Sequence, residues 1–526
     1  MATIITTPIN ITANATYTDP VYFVDSGAFT ISSGVTVLFD GGVVAARNQI
    51  FYGAGKVQFT GIQFEVYPEW WGAAVNSSTN DCQPAIRAAI LSGCSRIRLQ
   101  AADYWTNSTI VNDQSGVGIY LEGKWGQNGT GANGATRIVG NFNTGDIVYI
   151  GATSAPPSID NYPRDQVWFG GEVTRAVPPL APAPGSELSG AVGIRLKYTL
   201  GAQVTHSTSS EHSLAYLLDG NVLTAMSDNK AYRTVSGVGP YTSNDIFWGY
   251  VLNGNASIGL AGGNASTYLE RNSSAVGGSP TVTQKLGLNC FGLFADTFIR
   301  DQESADLDGL QLTGAATAYG NLDVSIDHAV VDQFPNFGIK VDSLSASGSL
   351  TIVNCYAAPT AVSSALACLL LTGCGGLITA KNNEWDCGFN SAASYNCIGE
   401  FFYHSSGFDS CNRITDSDRP IVLDTCNNFR ITSIVNNPNH DASQAAFYAS
   451  SSARGYVQIM TSGASGAFPQ GIYLSGSGVQ YCEFNMTGVD PASTGGVANK
   501  LYCNGTSVTG SGLFNGDTDL ASGFTS

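Results

Sequence analysis

Four carboxylates crowd one short stretch of a chain that is otherwise poor in charge. Residues 300–309 read Arg300-Asp301-Gln302-Glu303-Ser304-Ala305-Asp306-Leu307-Asp308-Gly309, while charged residues make up only 12% of the 526. Packed carboxylates repel, so at least one should hold its proton more tightly than usual. A protonated acid beside an ionised one is what glycosidic hydrolysis needs: one protonates the leaving oxygen, the other activates water or attacks carbon. A solvated loop or a Ca²⁺ loop are the alternatives, and the spacing lacks the EF-hand pattern. A second group, Lys381-Asn382-Asn383-Glu384-Trp385-Asp386-Cys387, places Glu384 and Asp386 on one face of a strand and Trp385 on the other. A carboxylate pair with an aromatic nearby is a plausible sugar subsite, and a solvated corner is the alternative. Asp327-His328 with Asp332 is a third, weaker cluster.

Aromatic and basic residues extend the same reading. Sugar rings stack on exposed Trp and Tyr, and Arg pairs with acidic sugar substituents. Trp248, Tyr250, Tyr268, Arg271, Arg300 and Trp385 are the candidate substrate contacts, with a core role for Trp248 as the competing reading. The five histidines are scattered, and the twelve cysteines show no CxxC pair and no Cys/His zinc spacing. The expectation is no metal and no cofactor, with the cysteines as buried, reduced thiols. No nucleophile elbow or phosphate loop is present.

The elements that must position these groups are short strands. Gly is abundant at 62 residues, hydrophobic residues reach 43%, and long runs of helix formers are absent. Gly-bounded alternation recurs along most of the chain, as in Ile119-Tyr120-Leu121 and Asp146-Ile147-Val148-Tyr149-Ile150. The spacing predicts one helix, within 81–92: Asp81 as N-cap, Pro84 in the first turn, an apolar face of Ala85, Ile86, Ala89 and Ile90, and Gly93 as terminator.

A blurred repeat gives the architecture. Val324 and Ile326 precede His328, Leu350 and Ile352 precede Asn354, and Ile378 and Ala380 precede Asn382, at offsets of 26 and 28 residues. Each block is two inward apolar residues and a polar corner, which buries its face only when stacked on like blocks. Asn at the corner is expected to ladder side-chain amides between coils. The fold expected is all-β, a right-handed parallel β-helix. A small β module at 1–65 precedes it, the coil proper runs over 66–430, and a β region at 431–526 closes it.

One segment carries a family resemblance. Pro68-Glu69-Trp70-Trp71-Gly72-Ala73, then Asp81, Ala85-Ile86, Ala88-Ala89, Ile97, Leu99 and Tyr104 resemble the entrance of pectate-lyase-like parallel β-helices, above all those of bacteriophage tailspikes. Asn80-Asp81-Cys82 departs from the D-D-T turn of that family. The match covers about 40 residues, and its motif is structural. It implies a helix capping the first coil, and a homotrimer on a phage tail or baseplate that binds and often cleaves bacterial surface polysaccharide.

Charge and hydropathy narrow the function. Forty acids against 23 bases give a net charge of −17, without the basic cluster a nucleic-acid surface requires. No run of 18 apolar residues occurs, so no membrane insertion is expected. Residues 1–10 lack the basic and apolar regions of a signal peptide, so the expectation is synthesis in a cytoplasm, with the chain staying there or leaving by a route other than secretion; the tailspike resemblance implies delivery in a virion. The reading is a tailspike depolymerase acting by hydrolysis through Asp301, Glu303, Asp306, Asp308, Glu384 and Asp386. A uronate lyase and a binding-only adhesin are the alternatives. Residues 306 and 384 lie about three coils apart, about 14 Å at the spacing of strands. The pair is therefore expected within one cluster or across a subunit boundary.

Overall fold

The alternation in the sequence becomes short strands that pair in parallel among the described residues, as in Arg96–Leu99 on Gly118–Leu121 and Asp323–Asp327 on Ser349–Val353. In the computed structural model, the residues described are 2–122, 135–180, 182, 186–234, 246–254, 264–277, 284–292, 294–314, 323–344, 348–360, 366–387, 397–417, 419–436, 445–462, 470–475, 483–488, 499–504 and 514–515. Contacts divide the chain into two units, Met1–Val251 with Gly277–Gln284, and Leu252–Val276 with Lys285–Ser526. The fold is a right-handed parallel β-helix, with a small N-terminal β module and, among the described residues, a single α-helix.

In the first unit the N-terminal module is itself a short coil. Thr3–Ile5, Val21–Phe23 and Val43–Val44 stack as one sheet, and two further three-stranded sheets complete each turn. Its core is aromatic: Tyr17 stacks on Phe29 and on Phe39, both at 5.4 Å, and Phe39 on Phe59 at 5.6 Å. Phe51 carries the contact onward to Trp71 at 5.3 Å and edge-on to Trp70 at 6.4 Å. Trp70 is buried and its Nε1–H donates to the Ala46 carbonyl at 2.9 Å, so the paired tryptophans pack against this module.

The helix α1, Gln83–Ile90, buries Ala85, Ile86, Ala89 and Ile90 as expected. It begins at Gln83, with Cys82 at the N-cap, and Asp81 acts from one residue earlier. One Asp81 oxygen accepts the N–H of Gln83 at 3.0 Å and of Asn107 at 3.2 Å. The helix takes the place of a strand in the stack: the Phe59 N–H donates to the Ser92 carbonyl, and the Cys82 N–H to the Trp105 carbonyl. The Glu69 and Tyr104 of the entrance motif meet inside. The Tyr104 hydroxyl donates to the Glu69 carboxylate and accepts the Gln100 N–H at 3.0 Å. That bond fastens the turn Pro68–Trp71 to the next coil.

In the second unit the repeat read from sequence is the strand register. Val324 pairs Leu350 and Leu350 pairs Ile378, while Ile326 pairs Ile352 and Ile352 pairs Ala380. The polar corners that follow adopt left-handed backbone: His328 (φ 55°), Asn354 (56°) and Asn382 (58°), preceded by Arg271 (50°) and Asp301 (50°). A left-handed residue bends the strand sharply and turns the next side chain inward. The amide ladder therefore differs from expectation by one residue. Asn354 and Asn382 point outward, and the buried Asn383 and Asn412 form the ladder. Asn383 Oδ1 accepts the Cys355 N–H at 2.8 Å, and its Nδ2 donates to Asn412 Oδ1 at 2.9 Å. The bend takes these backbone N–H groups out of the strand ladder, and the amide one coil further on accepts them. Ser207 and Asn229 do the same in the first unit at 3.0 Å. The strands Ala453–Ser462 and Gln470–Ser475, in the β region expected at 431–526, continue the parallel stack.

Ile86→Asp would bury a charge on the inner face of α1, and we expect a loss of several kcal/mol and aggregation; a soluble variant with unchanged melting would contradict it. At the Asn382 corner, Val should cost about 1–2 kcal/mol relative to Gly, because a branched side chain resists left-handed backbone. Denaturant unfolding of the two variants measures the difference.

Candidate functional site

The structure separates the acids of residues 300–309. Asp301 sits at a left-handed corner, exposed and 3.7 Å from Arg300, which also reaches Asp327 at 4.0 Å. Glu303 is exposed on the next short strand, and Asp306 (φ 61°) makes the following bend. Asp308 turns inside: its oxygens accept the Asn336 N–H at 2.7 Å, Asn336 Nδ2 at 2.8 Å and the Phe337 N–H at 3.1 Å. Burial raises its pKa. It is a structural acid that fastens a turn, which corrects its assignment as a catalytic group. The raised carboxyl foreseen in this cluster exists, but its cause is burial.

Glu384 and Asp386 do share the outward face of the strand Leu377–Asp386, with Trp385 turned in. Trp385 is fully buried and its Nε1–H donates to Glu400 at 3.0 Å, so it cannot meet a substrate. Trp248 and Tyr250 are corrected likewise. Both are buried in the first unit, Tyr250 stacked on Tyr216 at 4.9 Å with its hydroxyl donating to the Asn229 carbonyl. Tyr268 is exposed and stacks on Phe298 at 5.1 Å, so one of its faces is already covered. Arg271 is exposed at its corner, 2.6 Å from Glu270.

One carboxylate grouping converges, and it joins the second and third sequence clusters. The register stacks Val330, Tyr356 and Glu384, and beside them Asp332 and Ala358. Tyr356 Oη lies 3.4 Å from Asp386 Oδ2. Burial, then the charges of Asp386 and Asp332, raise the Tyr356 pKa, so the hydroxyl keeps its proton at neutral pH. One Asp332 oxygen is buried without a hydrogen-bond partner, and Arg413 stands 4.0 Å from Glu384. A protonated hydroxyl between two outward carboxylates can donate to a glycosidic or ring oxygen. Asp332 was read from sequence as a member of the Asp327-His328 cluster, in which His328 does pair with Asp327, at 2.6 Å.

A second site, in the first unit, was missed from sequence. An open groove of about 500 Å³ is lined by Ile62, Phe64, Arg96, Tyr120, Asp165 and Val167 among others. Ile62 is 90% exposed and Phe64 74%, far beyond what packing would leave. The Arg96 guanidinium lies 4.4 Å over the Tyr120 ring and 5.4 Å from that of Phe64. Tyr120 continues to Phe169 at 6.1 Å and Phe169 to His206 at 5.3 Å. Glu65 holds both arginines of the strand, Arg96 at 3.8 Å and Arg98 at 3.3 Å, and Arg98 also pairs with Glu122. The row spans successive coils whose register partners are 22, 49 and 36 residues apart, Arg96 to Gly118 to Val167 to Gln203. Such irregular coil lengths hide the alignment. The visible signal was an aromatic at the outward position of a strand, as at Tyr120.

Ten cysteines lie among the described residues and nine are buried. Cys368, Cys387 and Cys397 gather in the interior of the second unit, where no metal-ligating group was foreseen. No described helix is long and apolar enough to cross a membrane.

No family model matches the chain, and no curated protein is significantly similar. Similar solved structures include PfbA, a surface adhesin of Streptococcus pneumoniae, at 11% identity over 84% of this chain and 91% of that one, TM-score 0.41. Another is the A-module of the Azotobacter vinelandii mannuronan C-5 epimerase AlgE6, at 12% identity over 87% of this chain and all of that one, TM-score 0.41. A third is tailspike protein 3 of bacteriophage CBA120, at 10% identity over 87% of this chain and 62% of that one, TM-score 0.42. These likenesses are distant.

Burial sets the pH response. Glu400 is fully buried, and despite donors from Trp385, Ser410 and Asn412 burial raises its pKa above the ordinary 4.5. Glu69 and Glu172 are raised by burial too. These groups hold a proton more tightly folded than unfolded, so stability should rise as the pH falls from neutral through their folded values. Glu122 is opposite: its hydrogen bond to Arg47 lowers its pKa. Its contribution is present above 4.5, its ordinary value, and is lost as the pH falls through the depressed folded value. The melting temperature should peak on the acid side of neutral, near about pH 5. Glu400→Gln should flatten the rise without lowering the melting temperature at pH 7; a large loss at every pH would show that the carboxylate itself is required.

Proposed function

We propose that the chain is a carbohydrate-binding β-helix that holds an extended, largely neutral glycan in the groove of its first unit. The observation that carries this reading is the exposed row Phe64–Arg96–Tyr120–Phe169. A pyranose presents an apolar C–H face and a rim of hydroxyls. It suits a surface that offers aromatic area beside fixed polar groups, here Arg96, Gln63 and Asp165. The glutamates beside the arginines offset their charge, and the net charge of −17 disfavours polyanions, uronate chains and nucleic acids among them. The natural setting is a bacterial surface polysaccharide met by a homotrimeric spike on a phage tail, delivered with the virion.

The converging acids favour a second activity, hydrolysis. Asp332 and Asp386 stand two coils apart, about 9.6 Å at the spacing of strands. That is close to the separation of about 6.5–9.5 Å with which two carboxyl groups invert a glycosidic centre. Elimination fits less well, since a tyrosine that keeps its proton is a poor base and the surrounding acids repel a uronate.

Bacterial surface polysaccharides are the probe. Tyr120→Ala and Phe64→Ala should each weaken binding about tenfold, from the loss of aromatic contact, with melting unchanged; binding as tight as the parent's would sink the groove assignment. Release of reducing ends, abolished by Asp332→Asn or Asp386→Asn with binding intact, would establish the hydrolase. Absorbance of unsaturated uronate would mean a lyase, and binding with no product an adhesin. Light scattering should give a trimer, and a monomer at micromolar concentration would contradict the spike.

A further inference from the structure

We propose that Cys368, Cys387 and Cys397 form a binding site for one thiophilic metal ion, Zn²⁺ or Cu⁺, inside the second unit. Cys368 lies on the strand Ala367–Thr372, Cys387 directly follows Leu377–Asp386, and Cys397 directly precedes Ile398–Tyr403. Three segments of successive coils thus deliver one sulfur each to the same interior point. Cys368 Sγ is 3.7 Å from Cys387 Sγ and 3.9 Å from Cys397 Sγ, and all three lie within 4.8 Å of one another. Sulfurs bound tetrahedrally to one Zn²⁺ at about 2.3 Å stand about 3.8 Å apart. The spacing is that of a coordination polyhedron, and far from the 2.03–2.05 Å of a disulfide.

The other interior thiols show what a cysteine does here as a small hydrophobe. Cys355, Cys374 and Cys426 follow left-handed corners, and each donates to a strand carbonyl, at 3.2 Å to Val353, 3.3 Å to Thr372 and 3.2 Å to Phe402. Their sulfurs are not grouped. In the trio, Cys368 and Cys397 also reach carbonyls, of Ala357 at 3.6 Å and of Ile398 at 3.5 Å, but only here, among the described residues, do the sulfurs contact one another as well. Soft sulfur donors select Zn²⁺ or Cu⁺ over Ca²⁺ or Mg²⁺. Glu400 already accepts hydrogen bonds from Trp385, Ser410 and Asn412.

Loading exchanges protons only: each thiol that becomes a thiolate releases one H⁺, and no electron moves. All three residues are buried, 0%, 4% and 4% exposed, so the ion enters as the coil closes. It would clasp Cys387 and Cys397 to the strand Ala367–Thr372.

The test uses the full chain, purified without chelator after expression with zinc, and in parallel refolded anaerobically with buffered Cu⁺. About one equivalent of one ion per chain is expected, with an X-ray absorption shell of sulfur near 2.3 Å. Cys368→Ser, Cys387→Ser and Cys397→Ser should each lower affinity at least tenfold, and Cys355→Ser should leave it unchanged. The absorption measurement on the parent stands even if a variant fails to fold. Failure of both ions to bind, a shell of nitrogen or oxygen alone, binding retained in all three variants, or a disulfide among the three cysteines by mass spectrometry would each overturn the proposal. None of these results depends on the glycan reading.

Discussion

Parallel register is the constraint on which the rest depends. Each coil satisfies its backbone only through the coil before and the coil after, and a slip of one residue would move every apolar side chain to the solvent face. The left-handed corners are what keep the register from slipping. They fix where each strand ends, and the buried Asn or Ser that follows is useful only if its neighbour bends at the same height. Asn383 illustrates this, because its amide serves Cys355 in one direction and Asn412 in the other.

The same constraint decides which polar residues carry chemistry and which carry structure. Acids at outward positions beyond a corner, such as Glu384 and Asp386, stay on the outer face of the coil. Acids that begin an inward-facing strand or sit on its buried face, such as Asp308 and Glu400, are consumed by turns and by the amide network. Sequence proximity therefore misleads in a coil. Residues 301–308 are neighbours along the chain and separate in space, whereas residues 332, 356 and 386 are distant along the chain and lie on adjoining rows of successive coils.

This explains what was legible. The offsets of 26 and 28 residues gave the register because the coils from 324 to 382 are regular. The entrance motif gave α1, and even the Tyr104 that meets Glu69. The parity of Glu384, Trp385 and Asp386 was readable from alternation alone. Tyr356 was not, because its importance comes from Asp332 and Asp386 on either side of it. The Phe64–Tyr120–Phe169 row was hidden by unequal coil lengths. The three thiols were hidden because the spacings 368, 387 and 397 match no local zinc pattern. They meet only when the strands around them have been wound.

The aromatic stack of the N-terminal module has a consequence for how the chain is made. Tyr17, Phe29, Phe39, Phe51 and Phe59 lie upstream of every long coil, and their rings touch one another before α1 is added. During synthesis this cluster emerges before the coils that follow it, and the turn Pro68–Trp71 and the Ser92 carbonyl then cover its far edge. Each later coil then has a finished edge to pair with, which allows winding to keep step with translation. A chain released from the middle would lack that seed and would offer its bare parallel edge to other copies of itself.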